Sequence, residues 1–362
     1  MTDVEPQATS SRPRGVAERV ASLLDGGHLD LPLPGSGGTL ERLARLRDLG
    51  EADLVAARLA EAHTDAMAIL TDLLERGPDA PPRGMHRQLW GVWAADPPHA
   101  PLRATRDGGS GTYPGCWSLN GDKPWCSGVG VCERALLTAH TDEGYRLFAV
   151  DPRHPGVTVR PSRWAGIGMS DSHTRDLELR DVPARAVGAP GAYLDRPGFW
   201  WGAAGVAAVW LGGALRASRA LERSAARHGS ELVLASLGRV DAAQHAAWCT
   251  LVDVAHLADT SGAAGPASAR ATGEPDDVSR EDRVAGSRLA ASRARAAVET
   301  AVEVTLHETG RATGPGPLAM DAEHARAVAD LQVYVRQSHG DRDLAVLGGL
   351  ALAARTSGLR RP

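Results

Sequence analysis

Gly115-Cys116-Trp117-Ser118-Leu119-Asn120-Gly121-Asp122-Lys123-Pro124-Trp125-Cys126-Ser127-Gly128-Val129-Gly130 is the stretch from which the rest of the chain can be placed. Trp117 and Leu119 alternate with polar residues and run into Asn120-Gly121, which predicts a hairpin turn there. Trp125, Ser127 and Gly128 then put a large aromatic, a small hydroxyl and a glycine close together. That set suits a flat ligand: the ring stacks, a hydroxyl or backbone N–H donates, and the glycine permits close approach. A hairpin whose tryptophans only fill a core fits the same residues, because Trp is highly buried on average.

Working outward, Ala135 to His140, Tyr145 to Val150, Val157 to Arg160 and Asp176 to Leu179 read as strands, with a turn over Asp151 to Gly156. On the N-terminal side, Gly15 to Leu24 carries apolar residues at helical spacing. Thr39 starts a second helix with Leu40, Leu43 and Leu46 on one face and Gly50 as its stop. Ala52 to Glu75 is a third, with a stripe of Leu54, Leu59, Ala66, Ile69 and Leu73. Gly77 to Arg83 reads as a linker and Met1 to Arg14 as disordered. Beyond Pro197 the pattern is helical throughout: Gly198 to Arg227, Ala235 to Thr260, Arg283 to Thr309 and Asp321 or Ala322 to Leu350. The expected division is a helical part at 15–87, a β-domain at 88–190 and a helical bundle at 191–362, with a mobile polar loop at 261–282.

The 362 residues suffice for a large core, and a net charge of −4 suggests no nucleic-acid partner. Four cysteines without C-x-x-C spacing give neither a zinc site nor a disulfide framework, and a reducing cytoplasm is the default. No apolar run reaches about 18 residues, so no membrane span is expected. Abundant Ala, Gly and Arg with almost no Lys is a composition of high-GC bacterial genomes.

The pattern W-x-L-N-G-x-K-x-W-[small]-[ST]-G over Trp117 to Gly128 resembles the central β-domain of the acyl-CoA dehydrogenase family. The run Trp164-Ala165-Gly166-Ile167-Gly168-Met169, then Ser172, Leu179, Asp181-Val182 and Val187-Gly188, resembles the exit of that domain in order and spacing. The resemblance implies an α+β fold: an N-terminal helical domain, a central antiparallel β-domain and a C-terminal four-helix bundle. It implies a flavin, FAD or alternatively FMN, with Trp125 on the isoalloxazine, Cys126 beside it and Ser127 bonding near N5. Trp93, Ala94 and Ala95 stand where a strand end gives backbone contacts to the ring, although Ala95 replaces the usual Thr. It implies a homodimer or homotetramer, formed through the small-residue helix Gly198 to Leu215 and the Ala-rich helix Arg283 to Thr309; a hetero-oligomer is the other possibility.

The chain also departs from the family. Aligning Asp330-Leu331-Gln332-Val333-Tyr334 with the family's D-A-K-I-Y places Ser338 where the proton-abstracting Glu belongs. The first bundle helix, where a minority of members carry that Glu, has no acid in its opening turns; Asp195 lies before it. His339 is the best substitute, since imidazole works near neutral pH, with Arg336 to orient an anionic group; His173 and His307 are weaker candidates. A His339 paired with Asp341 or Asp343 is the structural alternative. Trp200 and Trp201 fall where the family places its substrate cavity and would fill acyl-chain space. Arg227 keeps the Arg of a dinucleotide-tail motif whose Phe-Gly is gone, and Asp341 stands where the family offers donors to a pyrophosphate. The leading expectation is a flavin-dependent oxidoreductase acting on a small molecule other than a straight-chain acyl-CoA. A flavin-dependent monooxygenase and a non-catalytic partner subunit stand beside it.

Overall fold

The structure, a computed structural model, describes residues 15–74, 84–96, 101–106, 117–261 and 280–356. The polar N-terminus, the linker at 77–83, Gly115-Cys116 and most of the loop at 261–282 lie outside them. Among the described residues the fold opens with the helices α1 (Val16–Asp25), α2 (Thr39–Ala52) and α3 (Leu54–Leu74). Val16 and Val20 of α1 and Leu43 and Leu46 of α2 are buried, while Leu40 is exposed. Gly50 does not stop α2; the helix runs on to Ala52. A Cβ at Gly50 would lie 2.3 Å from the Val209 carbonyl, and one at Gly212 would lie 2.0 Å from that of Arg47. These two glycines let α2 pack directly on the backbone of the long helix that follows the β-domain.

Among the described residues seven strands make the β-domain: β1 (Trp90–Trp93), β2 (Arg103–Arg106), β3 (Trp117–Cys126), β4 (Arg134–Thr141), β5 (Gly144–Val150), β6 (Val157–Val159) and β7 (Arg175–Val187). They pair in the order β1-β4-β2-β3-β7-β5, with β6 on β7, and a β4–β5 pairing returns the sheet on itself. Most pairings are antiparallel, as expected, but β1 and β2 both run parallel to β4. The predicted hairpin at Asn120-Gly121 does not form. β3 continues through it, pinned by β2 on one side and β7 on the other, and the two residues make a bulge. Gly121 takes φ +127°, and Asn120 is tied to Asp181 of β7 by the Asp181 N–H and its own amide. Inside the sheet Lys123, the chain's one lysine, is fully buried and donates to Thr138 O and Oγ1 at 2.6 and 2.8 Å. Burial lowers its pKa to about 8.

The remaining helices are α4 (Ala192–Asp195), α5 (Pro197–His228), α6 (Glu231–Thr260), α7 (Arg280–Thr313), α8 (Gly316–Met320), α9 (Ala322–Tyr334) and α10 (Asp341–Thr356). α5 is long and apolar enough to cross a membrane by length and composition alone, but it is the central core helix, with Ala204, Ala207, Ala208, Val209 and Trp210 at zero exposure. One core joins α1 to α3 with α5, α6, α7 and α9; a second fills the sheet; a third lies between α3 and the sheet. The final predicted helix is broken in two. α9 ends at Tyr334, a 3-10 turn covers Val335–Gln337, Ser338 is extended and Gly340 takes φ +56° before α10 starts. α10 has no buried residue at all.

Candidate functional site

The end of β3 presents its side chains under strain. Trp125 adopts φ +60°, uncommon for any non-glycine residue and an outlier for a bulky one, and its side chain is 63 % exposed. Its N–H donates to Asp176 Oδ1 and its ring meets that of Trp164 edge-on at 6.0 Å. Met169 and His173, which flank the short turn Ser170–Ser172 beside it, also take positive φ. Such backbone strain is retained only where the surroundings over-determine it, and it clusters at functional sites. Ser127 Oγ shares a 2.9 Å hydrogen bond with Thr174 Oγ1, which shares one of 2.7 Å with Ser172 Oγ. Trp93 Nε1 donates to the Ser127 carbonyl at 2.8 Å, so the ends of β1 and β3 come together.

The other predicted residues divide. Cys126 is buried, and burial raises its thiol pKa far above the ordinary range, which leaves it a packing residue. Arg227 is exposed near the C-terminal end of α5, and no contact joins it to Trp125 or Ser127. Trp201 is in the core, whereas Trp200 is half-buried between Phe199 and the Arg288 guanidinium, which lies 5.2 Å over its ring. His339 is exposed: its ring nitrogen lies 3.5 Å from Asp343 and its backbone N–H donates to the same carboxylate. Its imidazole thus has the paired arrangement read beside the catalytic one.

Ser338 is buried and donates to Glu299 Oε2 of α7 at 2.5 Å. Arg336 reaches the other oxygen of Glu299 at 3.2 Å and Glu303 at 3.0 Å. A buried carboxylate therefore does stand at the Ser338 position, supplied by a different helix. Glu299 was not legible beside Ser338 in the sequence, because it lies on α7, 39 residues earlier in the chain. Asp330 of α9 ties this region to the β-domain by accepting the Met169 N–H at 2.5 Å.

A second group was also missed. On α3, Arg58 and Glu61 pair at 3.2 Å with little exposure, and Asp65 follows one turn on. Arg42 donates to Thr64 Oγ1, and Arg196 pairs with Asp72 at 2.8 Å and faces Asp65 at 4.0 Å. Burial, offset in part by Arg58, pushes the Glu61 carboxyl up to about 7. Tyr334 lies under the Arg58 guanidinium, and the Arg295 guanidinium lies 4.5 Å over the Trp210 ring. The sequence signal was the polar series Arg58, Glu61, Asp65 inside a largely apolar helix.

Residues 100–182 match the acyl-CoA dehydrogenase middle-domain model. No curated protein sequence matches the chain. Among solved structures it is similar to butyryl-CoA dehydrogenase from Megasphaera elsdenii, at 18 % identity and TM-score 0.74 over 92 % of this chain and 90 % of that one. It is similar to TdsC from a Paenibacillus species, solved with FMN and indole, at 17 % identity and TM-score 0.71 over 96 % of each chain. It is also similar to KijD3, solved with FMN and a dTDP-linked amino-keto sugar, at 19 % identity and TM-score 0.71 over 96 % of this chain and 92 % of that one. The protein has the acyl-CoA dehydrogenase fold, and the resemblance read from Trp117 to Gly128 holds.

Proposed function

We propose that the protein is a flavin-dependent oxidoreductase whose substrate is not a straight-chain acyl-CoA. The observation that carries this reading is the exposed, strained Trp125 beside the Ser127–Thr174–Ser172 hydroxyls, at the place where the fold's resemblance puts a flavin. The residues fit such a group: an open indole face, a hydroxyl row and the small Ala94 and Ala95 at the adjoining strand end. Trp125 would cover one ring face, and Ser127 would hydrogen-bond at the ring edge. The flavin, when bound, supplies two-electron redox chemistry. FMN is the favoured form. Arg227 stands apart from the strip, Asp341 at the start of α10 would repel a pyrophosphate, and KijD3 and TdsC were solved with FMN.

Substrate-side roles fall to Glu299, Ser338 and Arg336, which meet at the position of the family's base. Glu299 is held by two donors, so it suits orientation better than rapid proton abstraction; His339 stands at the rim beside them. A second copy of the chain is the expected partner. The helices first expected to pack between copies, α5 and α7, spend their small residues inside the chain. α10 leaves Leu344, Val346 and Leu352 exposed, and these residues would be covered by a partner.

The test is cofactor release from purified protein. Absorbance near about 450 nm with FMN on chromatography supports the reading. A colourless protein that does not take up FMN or FAD overturns it. In acyl-CoA assays with an artificial acceptor the unmodified protein should be inactive across chain lengths.

A further inference from the structure

The group around Arg58 is unusual for the polar atoms it leaves unsatisfied. Tyr334 is 3 % exposed and its hydroxyl has no partner; Trp210 is fully buried and its indole N–H has none; Trp201 Nε1 and Arg196 Nε are in the same state. Apart from Asp65 Oδ1, which faces Arg196, these are all donors or, in the case of Tyr334, a donor by choice. Buried donors without acceptors are rare in folded chains, and each asks for an explanation. Here they converge. Tyr334 meets Trp210 edge-on at 6.2 Å, Arg58 lies 5.9 Å over its ring, and the charges of Glu61, Arg58 and Arg295 all act on its oxygen.

This group adjoins the strip at the end of β3. Leu59, next to Arg58 on α3, would lie 3.0 Å from a Cβ at Gly128, the residue after Ser127, and Cys132 would lie 2.7 Å from it. The Arg58, Glu61 and Asp65 side chains keep 12, 8 and 15 % of their surface, so the cluster is not sealed.

Resting on the flavin reading above, we propose that α3, α5, α7 and α9 enclose the substrate site, and that it takes a small organic anion through a carboxylate or phosphate oxygen group held by Arg58, Tyr334 and Trp210, with Glu61 taking up a proton as the anion binds. An alkyl chain would leave the Tyr334 and Trp210 donors desolvated and unpaired. An anionic oxygen group supplies the acceptors they lack, and charge-assisted bonds from Arg and Tyr are the strong ones. Two negative charges close together in this interior would repel, so the anion and an ionised Glu61 exclude one another. The proton balance is simple: an anion plus the Glu61 carboxylate plus one proton from solvent gives the bound anion beside a neutral carboxyl. The raised pKa of Glu61 puts that exchange near neutrality.

The test uses the purified protein with its tryptophan indoles labelled with nitrogen-15, the Trp210 signal being assigned by its loss in Trp210→Phe. Benzoate, acetate and inorganic phosphate are the probes, benzamide the neutral control. At least one anion should move the Trp210 N–H signal saturably while benzamide does not. Its Kd should rise about tenfold per pH unit above the Glu61 pKa, and lose that dependence in Glu61→Gln. Tyr334→Phe, which removes one oxygen, should weaken the anion roughly tenfold or more while circular dichroism stays unchanged. Arg58→Lys should weaken it as well. A Trp210 signal indifferent to all three anions up to their solubility, or one that benzamide moves equally, overturns the proposal. Absorbance of bound flavin is read on the same sample: flavin present with a silent Trp210 sinks the anion site alone, whereas anion binding without flavin uptake sinks the redox reading alone.

Discussion

Trp125 and Trp210 are the same residue type in opposite circumstances. Trp125 is 63 % exposed on a backbone held at φ +60°, with its ring in the open. Trp210 is wholly buried in α5 on relaxed helical backbone, but with an indole N–H that donates to nothing. Folding alone favours neither state: an aromatic ring gains by burial, and a buried donor gains by pairing. The difference teaches which kind of partner each region lacks. The end of β3 lacks something flat and apolar to cover it. The helical interior lacks acceptors. A single elongated active site, redox group at one end and polar substrate group at the other, would supply both.

Four substitutions press on that contrast. Arg58→Met should have the largest effect, since it leaves Glu61 buried without its cation; stability near pH 8 should drop by about 3–5 kcal/mol, and by less near pH 5.5, where Glu61 can be protonated. Urea denaturation at the two pH values measures this, and an equal loss at both would detach Glu61 from the argument. Glu61→Gln comes next. Folding raises the Glu61 pKa to about 7, so the native state holds a proton that the unfolded chain has released. Native stability should therefore be greatest below the ordinary carboxylate pKa and fall by about 3 kcal/mol as pH rises through 7, a slope that the Gln variant should lack.

Trp125→Gly is expected to act in two directions. Relief of the positive φ should stabilise the flavin-free protein by about 1 kcal/mol, while loss of the ring face weakens flavin retention by roughly tenfold. Thermal unfolding and flavin titration read the two effects separately, and a variant that keeps its flavin would show that the strained ring serves something else. The smallest effect belongs to Tyr334→Phe. Removing a hydroxyl that has no partner should leave stability within about 1 kcal/mol of the parent, or slightly above it. A large loss would mean that the oxygen is satisfied in the folded state, and the donor argument for the interior would fail with it.

Local pattern carried a good deal of this. The strands at Ala135 to His140 and Tyr145 to Val150 and the helix at Ala52 to Glu75 appear close to where alternation and helical spacing placed them. It failed where a neighbour overrode it. Asn120-Gly121 is a hairpin turn by its own chemistry, yet β2 and β7 flank it and hold the strand extended. Gly50 is a helix stop by propensity, yet its missing Cβ is needed where α2 crosses Val209. Ser338 was noticed as a lost carboxylate, but the Glu299 beside it is 39 residues earlier in the chain, and no local reading joins the two.

The sequence by itself determined the fold, because the Trp117 to Gly128 motif, the exit run at Trp164 to Gly188 and the helical periodicities on either side are local signals of order and spacing. By resemblance it also puts Ser338 where the family's usual base belongs. Only the tertiary structure decided which polar groups are buried and which of them lack partners. Arg58, Glu61, Trp210, Arg295 and Tyr334 come from four helices spread over most of the chain, and their charge states and unpaired donors follow from the desolvation they impose on one another once those helices pack.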